Sequence, residues 1–384
     1  MPRIAILFEF PTLLGGEHSL LAMIDQLRAE PGGTPLEFVA IGPPDGALAD
    51  AWRSRGLPLW PTPLLDDAGG KRSLEVAREE LIRLVQERKV DLLHGNSLAM
   101  GRVTGALAGS VGVPCTAHLR DILKPSRRAL EDLASNRRLF AVSEATRAFY
   151  LGLGVAPEKI LTIHNGVDLE QFWFRGNAGE VRQQLGIPPD AFVTLTIGQI
   201  GLRKGWDTLA GALALLGERM PRLHAVFVGE RYANKPETVA YETSVRETLD
   251  GAPAGRNCWL GYRRDIPELL GAADLLVHPA RQEPFGRVLL EAAAAGCPIL
   301  ASDVGGTREM LGETACLIPP DNPAAWASSI RELAEDVGRR EALARNARAR
   351  IAERFSIGRA ASVFAGALLD EIAGSMRDDD LKNG

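Results

Sequence analysis

The sequence predicts an α/β protein built as two doubly wound parallel-sheet domains, and three observations predict it. The chain of 384 residues is 46% hydrophobic and 24% charged, which suits a globular protein but exceeds the usual size of one hydrophobic core. Short apolar, β-branched runs alternate with longer helical patterns along nearly its whole length, as βαβ units require. The alternation breaks at HNGVDLEQFWFRGNAGEVRQQLGIPPDA, residues 164–191, where Asn-Gly, several glycines and Pro-Pro interrupt it.

In chain order, the first half offers RIAILFE, LEFVAI, VDLLHG, VPCTAH, LFAVS and KILTIH, each reading as a buried parallel strand. The second half offers AFVTLTIG, LHAVFVG, NCWLGY, DLLVHP, PILASD and ACLIPP, again with helical stretches between them. We place a first domain at 1–170, a linker or hinge at 171–190 and a second domain at 191–354. The remaining segment, 355–384, opens with FSIGRAASVFAGALLDEIAG, whose apolar stripe suits a docked helix, and ends in MRDDDLKNG, expected to be disordered. Two Rossmann-like domains facing each other would form a cleft at the carboxyl ends of their strands, so the site should draw on both halves.

Composition narrows the function. A net charge of −5 with no extended basic face argues against nucleic acid as a partner. The four cysteines, Cys115, Cys258, Cys297 and Cys316, lie far apart in apolar runs, which points to reduced, packed thiols and a cytoplasmic protein. MPRIAILFEF is too short for a signal-peptide core with its cleavage site, and no run approaches the ~20 apolar residues of a membrane span.

Each half opens with a strand, a glycine-bearing loop and a helix. In RIAILFEFPTLLGGEHSLL, Gly15 and Gly16 let backbone approach a ligand, with a helix from about Glu17 presenting free N–H groups; the plain alternative is a tight turn. In TLTIGQIGLRKGWDTLAGALALL, Gly198, Gly201 and Gly205 surround Arg203 and Lys204, and a helix start beside two cations suits an anion. Neither loop fits GxGxxG or GxxxxGK[ST], so a dinucleotide oxidoreductase and a P-loop NTPase are both unsupported.

In RQEPFGRVLLEAAAAGCPILASDVGG, Pro284 favours a helix beginning just after it, and Gly296 and Pro298 end that helix. Glu283 then lies in the entering loop, beside the amides of Phe285, Gly286 and Arg287 at the positive helix end. Glu291 lies about two turns further on, among Leu289, Leu290 and Ala292 to Ala295, and needs a partner there: ribose hydroxyls or a neighbouring arginine.

These residues together resemble the retaining glycosyltransferases of the GT-B fold, in particular the family 4 (group 1) glycosyl transferases. The resemblance covers nearly the whole chain and rests on EPFGRVLLEAAAAGCPILASDVGGTRE with its E-x7-E element, GLRKGWDTL, HNGVDLEQF, LLGGEHSL and LLGAADLLVHPARQEPFG. It implies that 1–170 binds the acceptor, that 191–354 binds the nucleotide sugar and that the helix of 355–384 crosses back to the first domain; that Glu283 hydrogen-bonds the donor sugar and Glu291 the nucleotide ribose; and that Lys204 and Arg203 neutralise the diphosphate. The amides of Phe285, Gly286, Arg287 and Val288 would contact sugar and phosphate, with Gly15 and Gly16 on the opposite wall. His118, in VPCTAHLRD, matches the family's active-site histidine, and the adjacent Arg120 and Asp121 would keep its surroundings polar. As a residue alone, His118 reads equally as a satisfied core histidine, and His94 and Asn96 pose the same choice. Gln199 departs from the pattern, because many relatives carry an arginine there; Arg203 or the neutral amide itself would have to replace that charge.

The implied activity moves a sugar from a nucleoside-diphosphate sugar, a UDP- or GDP-sugar, to an acceptor hydroxyl with retention, needing no cofactor and no metal. His18, His164, His224 and His278 show no metal-ligand spacing. Tyr262, Arg263 and Ile266 lie near the expected base contacts. The acceptor would be a sugar, a lipid-linked group or a small molecule. Lys124, Arg127 and Arg128, with Arg137 and Arg138 soon after, form either a solvated helix face or a contact for an anionic acceptor or the inner face of a membrane. A sugar-nucleotide epimerase of the same fold and a non-catalytic binding scaffold are the alternatives.

Overall fold

The computed structural model describes residues 1–30, 33–66, 70, 72–231, 233–250 and 256–383. Its elements run β1 (Arg3–Leu7), α1 (Gly15–Ala29), β2 (Glu37–Gly42), α2 (Ala47–Arg53), β3 (Leu59–Pro61), α3 (Leu74–Glu87), β4 (Leu92–Gly95), α4 (Leu98–Leu107), β5 (Cys115–Leu119), α5 (Arg127–Ala134), β6 (Arg138–Ala141), α6 (Glu144–Gly152) and β7 (Ile160–Thr162). They continue with α7 (Ala178–Gln184), β8 (Phe192–Ile197), α8 (Trp206–Leu216), β9 (Leu223–Val228), α9 (Pro236–Asp250), β10 (Asn257–Trp259), α10 (Ile266–Ala272), β11 (Leu275–His278), α11 (Arg287–Ala295), β12 (Ile299–Ser302), α12 (Thr307–Leu311) and β13 (Cys316–Ile318), and end with α13 (Pro323–Glu335), α14 (Val337–Arg354) and α15 (Ile357–Asn383).

The chain divides into two compact units, one of residues 1–166 with 357–384 and one of residues 167–356. In the first unit the described strands form a parallel sheet in the order β3-β2-β1-β4-β5-β6-β7; in the second the order is β10-β9-β8-β11-β12-β13, again parallel. All twelve runs read as strands from the sequence are present, and β3, a short edge strand ending in Pro61, is additional. Central strands are buried on both faces and so carry continuous apolar side chains; Ile4 to Leu7 are all fully buried.

Each sheet reverses its winding once, between β1 and β4 and between β8 and β11. At such a point the loops after the two neighbouring strands diverge to opposite faces and leave a crevice at their carboxyl ends. In the second unit those loops carry Lys204, after β8, and Glu283, after β11.

The stretch expected to be a linker contributes α7, which belongs to the second unit. There Arg182 donates to the Ala272 carbonyl at 2.9 Å and pairs with Asp274 at 3.0 Å. The tail also departs from expectation, because α15 runs through Asn383 where MRDDDLKNG was expected to be disordered. Phe364, Leu368 and Ile372 of α15 are buried with Ile4, Ile6, Leu20, Ile24 and Phe140 in the core of the first unit. Burying each such side chain contributes about 1.5–3 kcal/mol. Glu371, 7% exposed at its side chain, receives Arg137 at 3.0 Å and Arg138 at 2.6 Å and fastens the helix.

Candidate active site

Lys204 closes a 3-10 turn, Leu202–Lys204, and Gly205 follows at φ 66 in the left-handed region. A Cβ at 205 would stand 1.9 Å from the Pro279 carbonyl oxygen, so glycine alone lets this turn lie against the loop after β11. On that loop Glu283 is fixed by its own backbone: its carbonyl accepts from Gly306 N at 3.0 Å. A Cβ at Gly305, φ 54, would reach 2.1 Å from the same oxygen. Arg203 crosses between the segments, donating from Nη1 to the Gln282 carbonyl at 3.2 Å.

The backbone packing brings the two charged side chains together. Lys204 Nζ donates to Glu283 Oε2 at 2.6 Å, with 14% and 6% of the side chains exposed. His278 Nε2 meets the same oxygen at 2.8 Å and is 3% exposed. Burial by itself would raise the Glu283 carboxyl, but the Lys204 ammonium and the His278 hydrogen bond outweigh it and hold the group well below the ordinary carboxylate range. Burial and the same ammonium lower His278, so the ring is neutral and its proton sits on Nε2, donating to the carboxylate. Both contacts use Oε2; Oε1 of Glu283 has no protein partner among the described residues. An oriented carboxylate oxygen left open is suited to accept sugar hydroxyls.

Glu283 leads into α11, whose N-cap, Gly286, makes no side-chain cap, so its first-turn amides face the entering loop. The Phe285 ring is buried and packs against Phe355 at 5.5 Å. Val288 is half-buried on the first turn. Glu291 is bonded by Arg287, one turn earlier, at 2.6 Å. The arginine partner is therefore the one present, and any ribose contact would share the carboxylate with it. Gln199 is exposed on the loop after β8.

In the first unit Gly15 and Gly16 begin α1 rather than precede it, and Glu17 caps the helix by accepting from Leu14 N at 3.1 Å. Arg120 lies along Gly16, where an added Cβ would stand 2.9 Å from its Cδ. Its guanidinium is held by the Asn96 carbonyl at 3.1 Å, Asn96 Oδ1 at 2.9 Å and Asn165 Oδ1 at 3.2 Å.

His118 is not in the polar surroundings expected for it. The ring is 1% exposed, between Phe140 at 5.7 Å and Phe364 at 5.4 Å, with Nδ1 hydrogen-bonded to His94 Nε2 at 2.8 Å. His94 in turn reaches Thr116 at 2.8 Å. Burial, with Arg120 nearby, lowers His94 to about 3 and His118 well below its ordinary value, so both are neutral. The basic cluster also divides: Lys124, Arg127 and Arg128 are exposed, whereas Arg137 and Arg138 are engaged by Glu371. No helix among the described residues is long and apolar enough to cross a membrane.

Residues 177–350 match the family described as Glycosyl transferases group 1, and residues 15–171 match Glycosyltransferase Family 4. A D-inositol 3-phosphate glycosyltransferase of Catenulispora acidiphila is 32% identical over 328 residues, covering 78% of this chain and 77% of the relative. The chain belongs to the group 1 glycosyltransferases. A second relative of the same name, from Kineococcus radiotolerans, is 30% identical over 306 residues, 71% of this chain and 69% of its own. Among solved structures, Anabaena HepE in complex with UDP has a TM-score of 0.82 at 24% identity, covering 96% of this glycosyltransferase and all of HepE. Sucrose-phosphate synthase from Thermosynechococcus elongatus has a TM-score of 0.80 at 20% identity, covering 97% and 100%. The fold of this glycosyltransferase is thus the GT-B arrangement of two Rossmann-like domains.

Two residues of the site were not picked out as such by sequence reading. In the sequence His278 enters only through metal-ligand spacing; its place five residues before Glu283, at the end of a buried strand, is the available signal. Arg281 is the other, considered below.

Proposed function

We propose that this glycosyltransferase transfers a sugar from a nucleoside-diphosphate sugar to an acceptor hydroxyl with retention of anomeric configuration and without a metal. The carrying observation is the buried Lys204–Glu283 pair at the winding reversal of the second sheet, with Glu283 Oε1 left for sugar hydroxyls. Lys204 and Arg203, with the first-turn amides of α11, would stabilise the charge that builds on the diphosphate as the bond from C1 to its oxygen breaks. The acceptor oxygen bonds C1 on the same face, and its proton passes to the departing phosphate. Gln199 would bind as a neutral donor, Glu291 would bind ribose alongside Arg287, and Gly15 and Gly16 would contribute backbone.

For the donor, the HepE complexes contain UDP and UDP-glucose, which favours testing uridine first. For the acceptor, the relatives' name favours an inositol phosphate, and an anionic acceptor suits the exposed Lys124, Arg127 and Arg128. Membrane recruitment through those cations would appear as flotation with anionic liposomes that Arg127→Glu and Arg128→Glu abolish.

The test incubates UDP-, GDP- and ADP-glucose with D-inositol 3-phosphate and neutral polyols and follows the anomeric proton by NMR. The expected product keeps the donor's configuration and forms equally in EDTA. An inverted product, or activity lost in EDTA and restored by a divalent ion, would overturn the reading.

A further inference from the structure

We propose that Arg281 is a positioning residue that locks the Arg203–Lys204 turn against the Glu283 loop, and that the enzyme's grip on the diphosphate depends on it. Nothing in the family motif quoted above assigns it a role, and its contacts all lie in the second unit. From its backbone, Arg281 N donates to the Arg203 carbonyl at 2.8 Å. From its side chain, Nη1 donates to the Leu202 carbonyl at 2.7 Å. One residue thus holds two of the three carbonyls in the turn that carries both cations.

The guanidinium is itself fixed on its other edges. Asp207, in the first turn of α8, accepts at 2.8 Å from Nη1 and 2.7 Å from Nη2, and Asp321 accepts from Nε at 2.6 Å. Asp207 also takes the Tyr241 hydroxyl at 2.7 Å, and Thr208 donates to Asp321 at 3.3 Å. The hydrogen bonds from Arg281 and Tyr241, with the arginine's charge, outweigh partial burial and hold Asp207 below the ordinary range, so the brace is ionised. A planar fork with five N–H donors can bond a carbonyl and two carboxylates at once; an ammonium cannot do so in this geometry. The Lys204–Glu283 distance is therefore set by a cross-brace one shell behind it.

This inference rests on the diphosphate role given to Lys204 above, and the test separates the two. Arg281→Gln, Arg281→Lys and Lys204→Ala are compared for turnover, thermal stability and calorimetric binding. The ligands are UDP, GDP or ADP, whichever the wild type binds most tightly, and the corresponding monophosphate. Arg281→Gln should weaken the diphosphate about tenfold and lower kcat ~10- to 100-fold by misplacing Lys204, while the monophosphate binds as before. Arg281→Lys should recover thermal stability by neutralising Asp207 and Asp321 yet keep the weakened diphosphate binding. Combining Arg281→Gln with Lys204→Ala should lose little more diphosphate affinity than Lys204→Ala alone. The proposal is overturned if Arg281→Gln weakens both nucleotides equally or neither, if Arg281→Lys restores stability and affinity together, or if the two losses multiply. Unchanged diphosphate binding and turnover in Lys204→Ala would instead refute the role of Lys204 and, with it, the brace.

Discussion

Lys204 and Glu283 are each costly to bury and are stable there because they are buried together. Among the described residues, Lys204→Ala leaves the carboxylate with the His278 hydrogen bond alone, so the second unit should lose about 3–5 kcal/mol. Turnover should fall at least ~100-fold with the loss of leaving-group stabilisation. Urea unfolding and steady-state kinetics would read the two effects separately. The buried histidines of the first unit predict a pH effect of definite sign. Unfolded, His94 and His118 titrate near 6.5; folded, His94 is lowered to about 3 and His118 is also held neutral. Below pH ~6.5 the unfolded chain therefore binds more protons than the folded one, and stability falls as pH falls through that window. In His94→Asn the slope of unfolding free energy against pH between 4.5 and 6 should be shallower by about 1.4 kcal/mol per pH unit. An unchanged slope in urea titrations would show that His94 does not titrate on unfolding.

At the scale of elements, the loops that carry Lys204 and Glu283 are tied by glycines as much as by charges. Gly205→Ala should destabilise the second unit by at least about 1–2 kcal/mol, because alanine at φ 66 is strained before its Cβ meets Pro279. It should also depress kcat, as checked by urea midpoint and turnover. The strands were legible in the sequence because strands buried on both faces must be continuously apolar, as in IAIL or VTLTI. β3 was not, because Leu-Trp-Pro is too short to show a period and its proline is tolerated only at the sheet edge. Arg287 and Glu291 are spaced four apart on one helix face, so their pairing was legible too, but the choice between arginine and ribose required the distance. The neighbours of His118 could not be read: His94 lies 24 residues earlier and meets it through the pairing of β4 with β5, and Phe364 comes from α15. Arg281 was hidden for the same reason, since the Leu202 carbonyl that its side chain bonds is 79 residues away along the chain.

At the scale of the molecule, the two units differ in how the chain builds them. The second is one continuous segment, residues 167–356, whereas the first needs 1–166 and 357–384 together. A fragment of 167–356 should unfold cooperatively in urea and bind the nucleoside diphosphate, while 1–166 alone, lacking Phe364, Leu368 and Ile372, should show no cooperative transition. A cooperative transition in 1–166 would show that α15 is dispensable to that core. The placement of α15 also orders events during synthesis. Domains ordinarily fold as they leave the ribosome, amino-terminal first. Here the segment begun first must wait, its core open where α15 will dock, until the whole of 167–356 has been made. The unit encoded second can therefore reach its native state first, and nascent chains should need protection from aggregation along the uncovered face of α1 rather than in the second unit.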